Sequence, residues 1–169
     1  MSNYINKLRQ KIGKDPLFSP GASVIVYENN KYLLQFRKDF NVWGLHGGAM
    51  ELGETGVDVC LRELEEETGL KALEIHPFCT YCGKNFVINY PNGDVVYPVV
   101  MAFLVTKTQG KLIPQDDEVT ELKWFDEASL PMDDMMEIDK TFLKDFLQHK
   151  NQNQPQTYKT KFCQEKCLC

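Results

Sequence analysis

A glycine-rich segment in this sequence leads directly into a helix with a clear start and stop. Residues 41–55 contain four glycines, too many for a helix, which predicts a shaped loop that approaches another group closely. Thr55 with Asp58 three residues later is typical of a capping box, and Gly69 is typical of a helix stop. The sequence therefore predicts a helix over residues 56–68, entered from that loop.

Short apolar and β-branched runs lie on both sides of this helix. Residues 22–27 and 31–37 are joined by Asn29-Asn30, a good two-residue turn, and predict a β-hairpin after a break over residues 16–21. Further strands are predicted over residues 73–81, 85–90, 95–106 and 121–125, and amphipathic helices over residues 3–12 and 138–147. A chain of 169 residues with these elements fits one domain with a single core.

Composition and charge limit the partners that this chain can have. It has 19 Lys plus Arg against 24 Asp plus Glu, a net charge of −5, and no ordered basic stripe, which disfavours a nucleic-acid polymer. The longest apolar run, residues 95–105, is far shorter than the roughly 20 residues of a membrane span, so no membrane contact is expected. Residues 1–11 show no secretory signal, and a cytoplasmic location is expected. The polar residues 150–169 predict a disordered tail.

The predicted central helix has an apolar face and an acidic one. One arc is predicted to pack on the sheet and comprises Val57, Cys60, Leu61, Leu64 and Thr68. Glu63, Glu66 and Glu67 lie beside this arc at helical spacings, so their carboxylates converge on one patch. Three like charges at these spacings are mildly unfavourable unless something compensates them.

Two interpretations of the acidic patch are open. It is either a solvated face on which Arg62 pairs with Glu66, or the ligand set of a divalent cation. Carboxylate oxygens are the ligands that Mg²⁺ and Mn²⁺ prefer. The glycine-rich segment ahead of the helix favours the cation, since it lets backbone groups reach a phosphate or metal beside the carboxylates.

Residues 48–70 resemble the Nudix box. The family pattern is G-x5-E-x7-R-E-U-x-E-E-x-G-U, with U a bulky aliphatic residue, and every specified position is matched. The matching residues are Gly48, Glu54, Arg62, Glu63, Leu64, Glu66, Glu67, Gly69 and Leu70. The flanking pattern supports the same family over residues 18–148.

The resemblance implies a fold and a reaction. The fold is α/β (α+β by some schemes), a Nudix-type α/β/α sandwich around a mixed β-sheet over residues 18–149, with residues 1–17 as an N-terminal helix and lead-in. The reaction is hydrolysis, by water, of a nucleoside diphosphate linked to another group X. The implied cofactor is Mg²⁺, with Mn²⁺ as a substitute, because cations neutralise phosphate charges that repel the nucleophile.

The family's metal ligands can be carried over residue by residue. Glu63 and Glu67 would be the principal ligands and the Gly47 carbonyl a backbone ligand. Glu66 would be a further ligand or would orient the attacking water. All three glutamates are thereby implied as catalytic residues.

The resemblance also implies supporting residues and a general base. Arg62 would hold Glu54 and order the loop, because a guanidinium fixed against carboxylates is a good strut. The general base lies outside the box at a position that varies in the family. Glu118, in the acidic segment 116–118, is the candidate here, and an ordinary exposed loop charge is its alternative.

Three residues are candidates for contact with the substrate. Arg37, at the end of a predicted strand, could bind a substrate phosphate or be a surface residue. Trp43 could form a wall of the nucleotide pocket or pack in the core beside the glycines. Gly48, the first glycine of the box, is the third candidate.

One residue departs from the family pattern. The family usually has proline where this chain has His46, so the loop loses a fixed φ angle and gains a titratable side chain. We expect a tolerated variation that leaves metal binding intact, with contact to the substrate as the alternative.

The group X is reached only by elimination. Pro77 and Pro91 both miss the proline of ADP-ribose-specific members, and Tyr81 and Tyr90 miss the tyrosine of dinucleoside-polyphosphate members. This leaves a MutT-like pyrophosphohydrolase of nucleoside triphosphates, oxidised ones included, that releases a monophosphate and pyrophosphate. The alternatives are hydrolysis of ADP-ribose, a nucleotide sugar or a dinucleoside polyphosphate, or a non-catalytic nucleotide-binding module. The apolar residues 95–103 could serve a homodimer as easily as a core.

Overall fold

The computed structural model describes residues 3–113 and 119–151 of the chain. In those residues the helices are α1 (Asn3–Ile12), α2 (Gly56–Thr68) and α3 (Glu137–Asn151), with 3₁₀ turns at Lys84–Phe86 and Glu127–Ser129. The strands are β1 (Leu17–Glu28), β2 (Lys31–Arg37), β3 (Val42–Gly44), β4 (His46–Ala49), β5 (Leu70–Tyr81), β6 (Ile88–Asn89), β7 (Val95–Gly110) and β8 (Val119–Asp126).

These strands form one mixed sheet. β3, β2, β1, β7 and β5 lie side by side in that order, while β4 pairs with β1, β6 with β7 and β8 with β2. β1 and β7 run parallel over ten residue pairs, from Leu17↔Val96 to Val26↔Val105, and the other strand pairs are antiparallel. The middle of β1, residues 21–24, therefore has β7 on one edge and the glycine-containing β4 on the other.

Helices cover both faces of the sheet. Successive side chains of a strand point to opposite faces, and β1 shows this alternation clearly. Val24 packs in one core cluster with Leu64 of α2, and Ile25 packs in another with Phe142 of α3. The predicted α/β/α sandwich around a mixed sheet is confirmed.

The central helix and the hairpin turn are confirmed in detail. Thr55 Oγ1 accepts a hydrogen bond from the Asp58 N–H (3.3 Å), and the Asp58 side chain accepts one from the Thr55 N–H (2.8 Å). Gly69 ends α2 with a left-handed φ of 75°. Asn29 and Asn30, with φ of 53° and 62°, form the turn between β1 and β2.

Two predicted boundaries around the glycine segment are wrong. β1 includes residues 17–21 of the segment 16–21 that was predicted as a break, because pairing with β7 binds its backbone from Leu17 onward. The predicted loop over residues 41–55 contains two short strands, β3 and β4. Glycine permits the β4 pairing, since a Cβ on Gly21 would lie only 2.6 Å from the Gly48 carbonyl oxygen.

Other strand ends also differ from the prediction. β5 begins at Leu70 and β7 continues to Gly110, because these two strands pair with each other from Leu70↔Gly110. The strand predicted over residues 85–90 is reduced to a 3₁₀ turn followed by Ile88–Asn89. β7 lies between β1 and β5, and its Ala102–Val105 segment is buried in the core of the chain itself.

The buried face of α2 is rotated relative to the predicted one. Val57 and Leu61, which we expected in the core, are 36% and 38% exposed, whereas Val59 and Glu67 are buried. The rotation arises because α2 packs against β4 as well as β1, and Glu67 hydrogen-bonds to β4. The acidic patch therefore extends into the interior.

The C-terminal helix extends to Asn151, two residues beyond the predicted domain end at residue 149. The remaining tail and Glu118 lie outside the described residues. In residues 3–113 and 119–151, every helix is too short or too polar to cross a bilayer.

Candidate active site

Arg62 ties the glycine segment to α2. Its Nε and Nη2 donate to Glu54 Oε1 (2.7 Å) and Oε2 (3.0 Å), and Nη2 also donates to the Ala49 carbonyl (3.3 Å). Its Nη1 donates to Glu63 Oε1 (2.6 Å) and Glu66 Oε2 (3.2 Å). The hydrogen bonds between Arg62 and Glu54 are the main cause of two pKa shifts: they raise the pKa of Arg62 and lower the pKa of Glu54. One guanidinium thus joins all these acceptors.

Glu63 lies directly against Gly48. A Cβ on Gly48 would overlap with Glu63 Oε1, so only glycine leaves room for the carboxylate here. Burial raises the pKa of Glu63; the charge of Glu67 adds to this, and Arg62 opposes it. A carboxylate buried near a like charge is one that a bound cation would stabilise.

Glu67 lies one helical turn further on and faces β4. Its Oε2 accepts a hydrogen bond from the Gly47 N–H (3.3 Å) and lies 3.2 Å from His46 Nδ1. Glu67 is 8% exposed and His46 is completely buried. Glu66, by contrast, has a side chain that is 59% exposed.

These donors suit a hard divalent cation. Within the described parts of the chain, no three carboxylate, imidazole or thiolate side chains surround a common point, and Glu63 and Glu66 each accept a hydrogen bond from Arg62. Glu63 and Glu67 nevertheless share one face of α2 and both border the glycine segment. Oxygen donors beside a cradle that a Cβ would fill fit Mg²⁺ or Mn²⁺.

A cleft of about 130 Å³ opens beside the glycines. Its polar lining includes Ser23, Arg37 and Asp139, together with the backbone of Gly47 and Gly48. The rest of the lining is largely apolar and includes Ile88, Tyr90, Val100, Met136, Ile138 and Phe142. Glu63, Glu66 and Glu67 are not among the lining residues, but Glu63 and Glu67 contact the Gly47-Gly48 backbone that forms one wall. A cleft with an apolar body and a few polar groups is the usual form of a small-molecule site.

Of the predicted substrate residues, Arg37 and Gly48 line this cleft and Trp43 is not among the lining residues. Arg37 donates from Nη2 to Asp39 Oδ2 (2.6 Å), which is the main interaction that raises its pKa against the opposing effect of burial. Trp43 packs edge-on against Phe36 and Phe125.

Sequence reasoning missed Asp139, whose Oδ2 accepts a hydrogen bond from the Leu45 N–H (2.9 Å). Burial raises the pKa of Asp139 to about 6, while that bond and the charge of Arg37 oppose the rise. A signal was present, because Asp139 occupies the helical stripe otherwise formed by Phe142, Leu143 and Phe146. A carboxyl group in an apolar stripe indicates a buried role.

Comparison with known proteins finds matches over most of the chain. The NUDIX domain model matches residues 17–146. A putative 8-oxo-dGTP diphosphatase from Bacillus subtilis is 31% identical over 117 residues, which cover 69% of this chain and 72% of the relative. The NAD-capped RNA hydrolase NudC from Pseudomonas aeruginosa is 27% identical over 118 residues, which cover 69% of this chain but only 39% of the relative.

Solved structures share the fold. A MutT NUDIX hydrolase from Burkholderia pseudomallei superimposes with a TM-score of 0.65 at 23% identity, over 76% of this chain and 97% of that chain. A MutT protein from Bacillus halodurans gives a TM-score of 0.61 at 25% identity, over 75% of this chain and 80% of that chain.

Proposed function

Since this chain belongs to the Nudix family, we propose that it is a metal-dependent hydrolase that cleaves nucleoside triphosphates into a nucleoside monophosphate and pyrophosphate. The observation that carries the proposal is the placement of Glu63 and Glu67. They lie one turn apart on α2, against the Gly47-Gly48 backbone that lines the cleft. A nucleotide in the cleft would thus place its phosphates beside both carboxylates.

In this proposal each glutamate has its own role. Glu63 and Glu67 hold Mg²⁺, or Mn²⁺ in its place, together with the Gly47 carbonyl. The cation neutralises phosphate charge and lowers the pKa of bound water. Glu66, the most exposed of the three, completes the ligand set or orients the attacking water. Arg62 keeps the glycine segment and α2 in register through Glu54.

The cleft supports contacts to the substrate. Arg37 binds a phosphate from the cleft wall, where its guanidinium is held by Asp39. Gly48 lines the cleft and offers its backbone groups to the substrate, while its missing side chain leaves room for Glu63. Trp43 lies outside the lining, and we assign its side chain to packing against Phe36 and Phe125 behind the cleft.

Two observations favour a nucleoside triphosphate over other substrates. The relative named as a putative 8-oxo-dGTP diphosphatase is matched over 72% of its length, whereas the NudC relative is matched over 39%. The net charge of −5 also opposes an RNA polymer. Oxidised triphosphates are therefore the first substrates to test, and NAD-capped RNA is the second candidate.

A substrate panel with a matched pair of variants tests the reaction. Nucleoside triphosphates, oxidised triphosphates, nucleotide sugars, ADP-ribose, dinucleoside polyphosphates and NAD-capped RNA are incubated with Mg²⁺, and released phosphate groups are scored. Glu67→Gln should lower the rate of hydrolysis by more than roughly 10- to 100-fold, which is the cost of removing a residue that only supports a metal ligand. Glu65→Gln is the control, because Glu65 is exposed and pairs with Lys71.

The panel also decides between an enzyme and a binding module. Turnover of one class by the wild type and Glu65→Gln, but not by Glu67→Gln, supports the hydrolase and identifies X. If no class is turned over although nucleotide binds, and Glu67→Gln changes only metal affinity, the chain is a non-catalytic nucleotide-binding module.

Glu118 is the proposed general base. Glu118→Gln should lower kcat while leaving the Mn²⁺ dissociation constant unchanged, since a base acts on the water rather than on the cation. A homodimer is a separate proposal, which sedimentation of the whole chain tests.

A further inference from the structure

His46 is a buried polar residue beside the proposed metal ligand Glu67. It lies on β4 with no exposed surface, and its Nδ1 is 3.2 Å from Glu67 Oε2. β4 holds the imidazole in place through its pairing with β1, where His46 is opposite Val24. The contact therefore joins the edge of the sheet to α2.

The tautomer of His46 decides which atom donates in this contact. A carboxylate only accepts hydrogen bonds, so the tautomer that bonds to Glu67 carries its proton on Nδ1. The Gly47 N–H donates to the same oxygen. Both bonds end on Oε2, which fixes the carboxylate plane and leaves Oε1 for another partner.

The alternative is that His46 only fills space in the core, and its second ring nitrogen, Nε2, argues against that. Nε2 is buried and has no hydrogen-bond partner among the described residues. Burying an unpaired polar atom costs free energy that an aliphatic side chain of similar size would avoid. The Nδ1 bond to Glu67 is what distinguishes His46 from such a side chain.

We propose that His46 is a positioning residue that holds Glu67 in the orientation in which Oε1 binds the divalent cation. The inference rests on the proposed function, in which Glu67 is a metal ligand. Glu63 is held differently, by Arg62 from the exposed side. The two ligands are thus fixed from opposite directions, one by an imidazole on the sheet and one by a guanidinium on the helix.

Mn²⁺ binding to variants of His46 tests this role. Free Mn²⁺ is followed by its electron paramagnetic resonance signal while the whole chain is titrated, without nucleotide. His46→Leu fills the site but donates no hydrogen bond, and should raise the Mn²⁺ dissociation constant by roughly 10- to 100-fold. His46→Asn places an amide N–H near the level of Nδ1 and should restore most of the affinity. Thermal unfolding shows whether each variant is folded.

The control variants separate the possible outcomes. Glu67→Gln gives the affinity without the ligand; if the wild type binds Mn²⁺ no better, the proposed metal site is wrong and the role of His46 is wrong with it. If the wild type binds but His46→Leu matches it, or His46→Asn and His46→Leu are equally weak, only the role of His46 is wrong. Should His46→Leu not fold, His46→Gln replaces it, because its amide lies beyond the level of Nδ1 and should bind Mn²⁺ more weakly than His46→Asn.

Discussion

Arg62 and Glu54 form a two-point ion pair, Nε to Oε1 at 2.7 Å and Nη2 to Oε2 at 3.0 Å, across the junction between the glycine segment and α2. Glu54 Oε2 also accepts a hydrogen bond from the Glu51 N–H (2.8 Å). Because the remaining guanidinium nitrogen holds Glu63, a displacement of the loop would be transmitted to a proposed metal ligand. The ion pair therefore links loop order to ligand position.

Arg62→Lys should weaken both stability and catalysis. An ammonium group cannot reproduce two parallel bonds to Glu54 while also reaching Glu63. We expect the free energy of unfolding to fall by about 1.5–3 kcal/mol, the contribution of hydrogen bonds to charged groups, and kcat/KM to fall with it. Urea unfolding and initial rates measure the two effects.

Glu54→Gln removes the same ion pair from its other end. The double variant should therefore lose less free energy of unfolding than the sum of the two single losses. Additive losses would contradict this linkage.

Gly48→Ala should impair metal binding while preserving the fold. The new methyl group would overlap with the end of the Glu63 side chain, which can rotate away and so leave its proposed position on the cation. Mn²⁺ affinity should fall while the melting temperature changes little. Gly21→Ala is the matched control, because its methyl group would lie 2.6 Å from a backbone oxygen of Gly48 and should lower the melting temperature itself. Equal melting temperatures for the two variants would rule out this distinction.

Asp139 should make stability depend on pH. Burial raises its pKa to about 6 in the folded state, from about 3.9 in an unfolded chain. Between these two pKa values the native state binds more protons than the unfolded chain. The free energy of unfolding therefore falls as pH rises, by up to about 3 kcal/mol. Asp139→Asn does not titrate and keeps an acceptor for the Leu45 N–H. Its stability relative to wild type should therefore increase from pH 4 to pH 7 in urea unfolding, and parallel pH profiles would contradict the prediction.

Lys150 should stabilise the attachment of α3 to the hairpin. Its Nζ donates to the hydroxyls of Tyr27 and Tyr32 (3.2 Å each) and to Glu127 Oε2 (2.6 Å). Tyr32 is completely buried, and burial raises its pKa to about 12. Lys150→Met should lower the free energy of unfolding by about 1 kcal/mol, measured in urea, because it removes these hydrogen bonds.

Lys144→Met provides the control for that measurement, since Lys144 is exposed on the same helix. A chain that ends at residue 149, the predicted domain boundary, should show the same loss as Lys150→Met. Full stability of that shortened chain would place the boundary where the sequence predicted it.

Residues that act on the nearby backbone made part of the fold predictable from the sequence. The bounds of α2 follow from Thr55, Asp58 and Gly69, which act on the backbone within a few residues of themselves. The turn at Asn29-Asn30 depends in the same way on two residues that accept positive φ. Strand ends were less predictable, because β1 begins at Leu17 only through its pairing with β7, almost 80 residues away.

That Glu63 and Glu67 share a helix face follows from the amino-acid sequence, because they are one turn apart in any α-helix. The orientation of that face depends on how α2 packs in the folded chain. The hydrogen bond between His46 and Glu67 joins residues 21 positions apart, and the one between Leu45 and Asp139 joins residues 94 apart. Helical periodicity fixes angles within one element, but the packing of α2 and α3 on the sheet decides which side chains meet between elements.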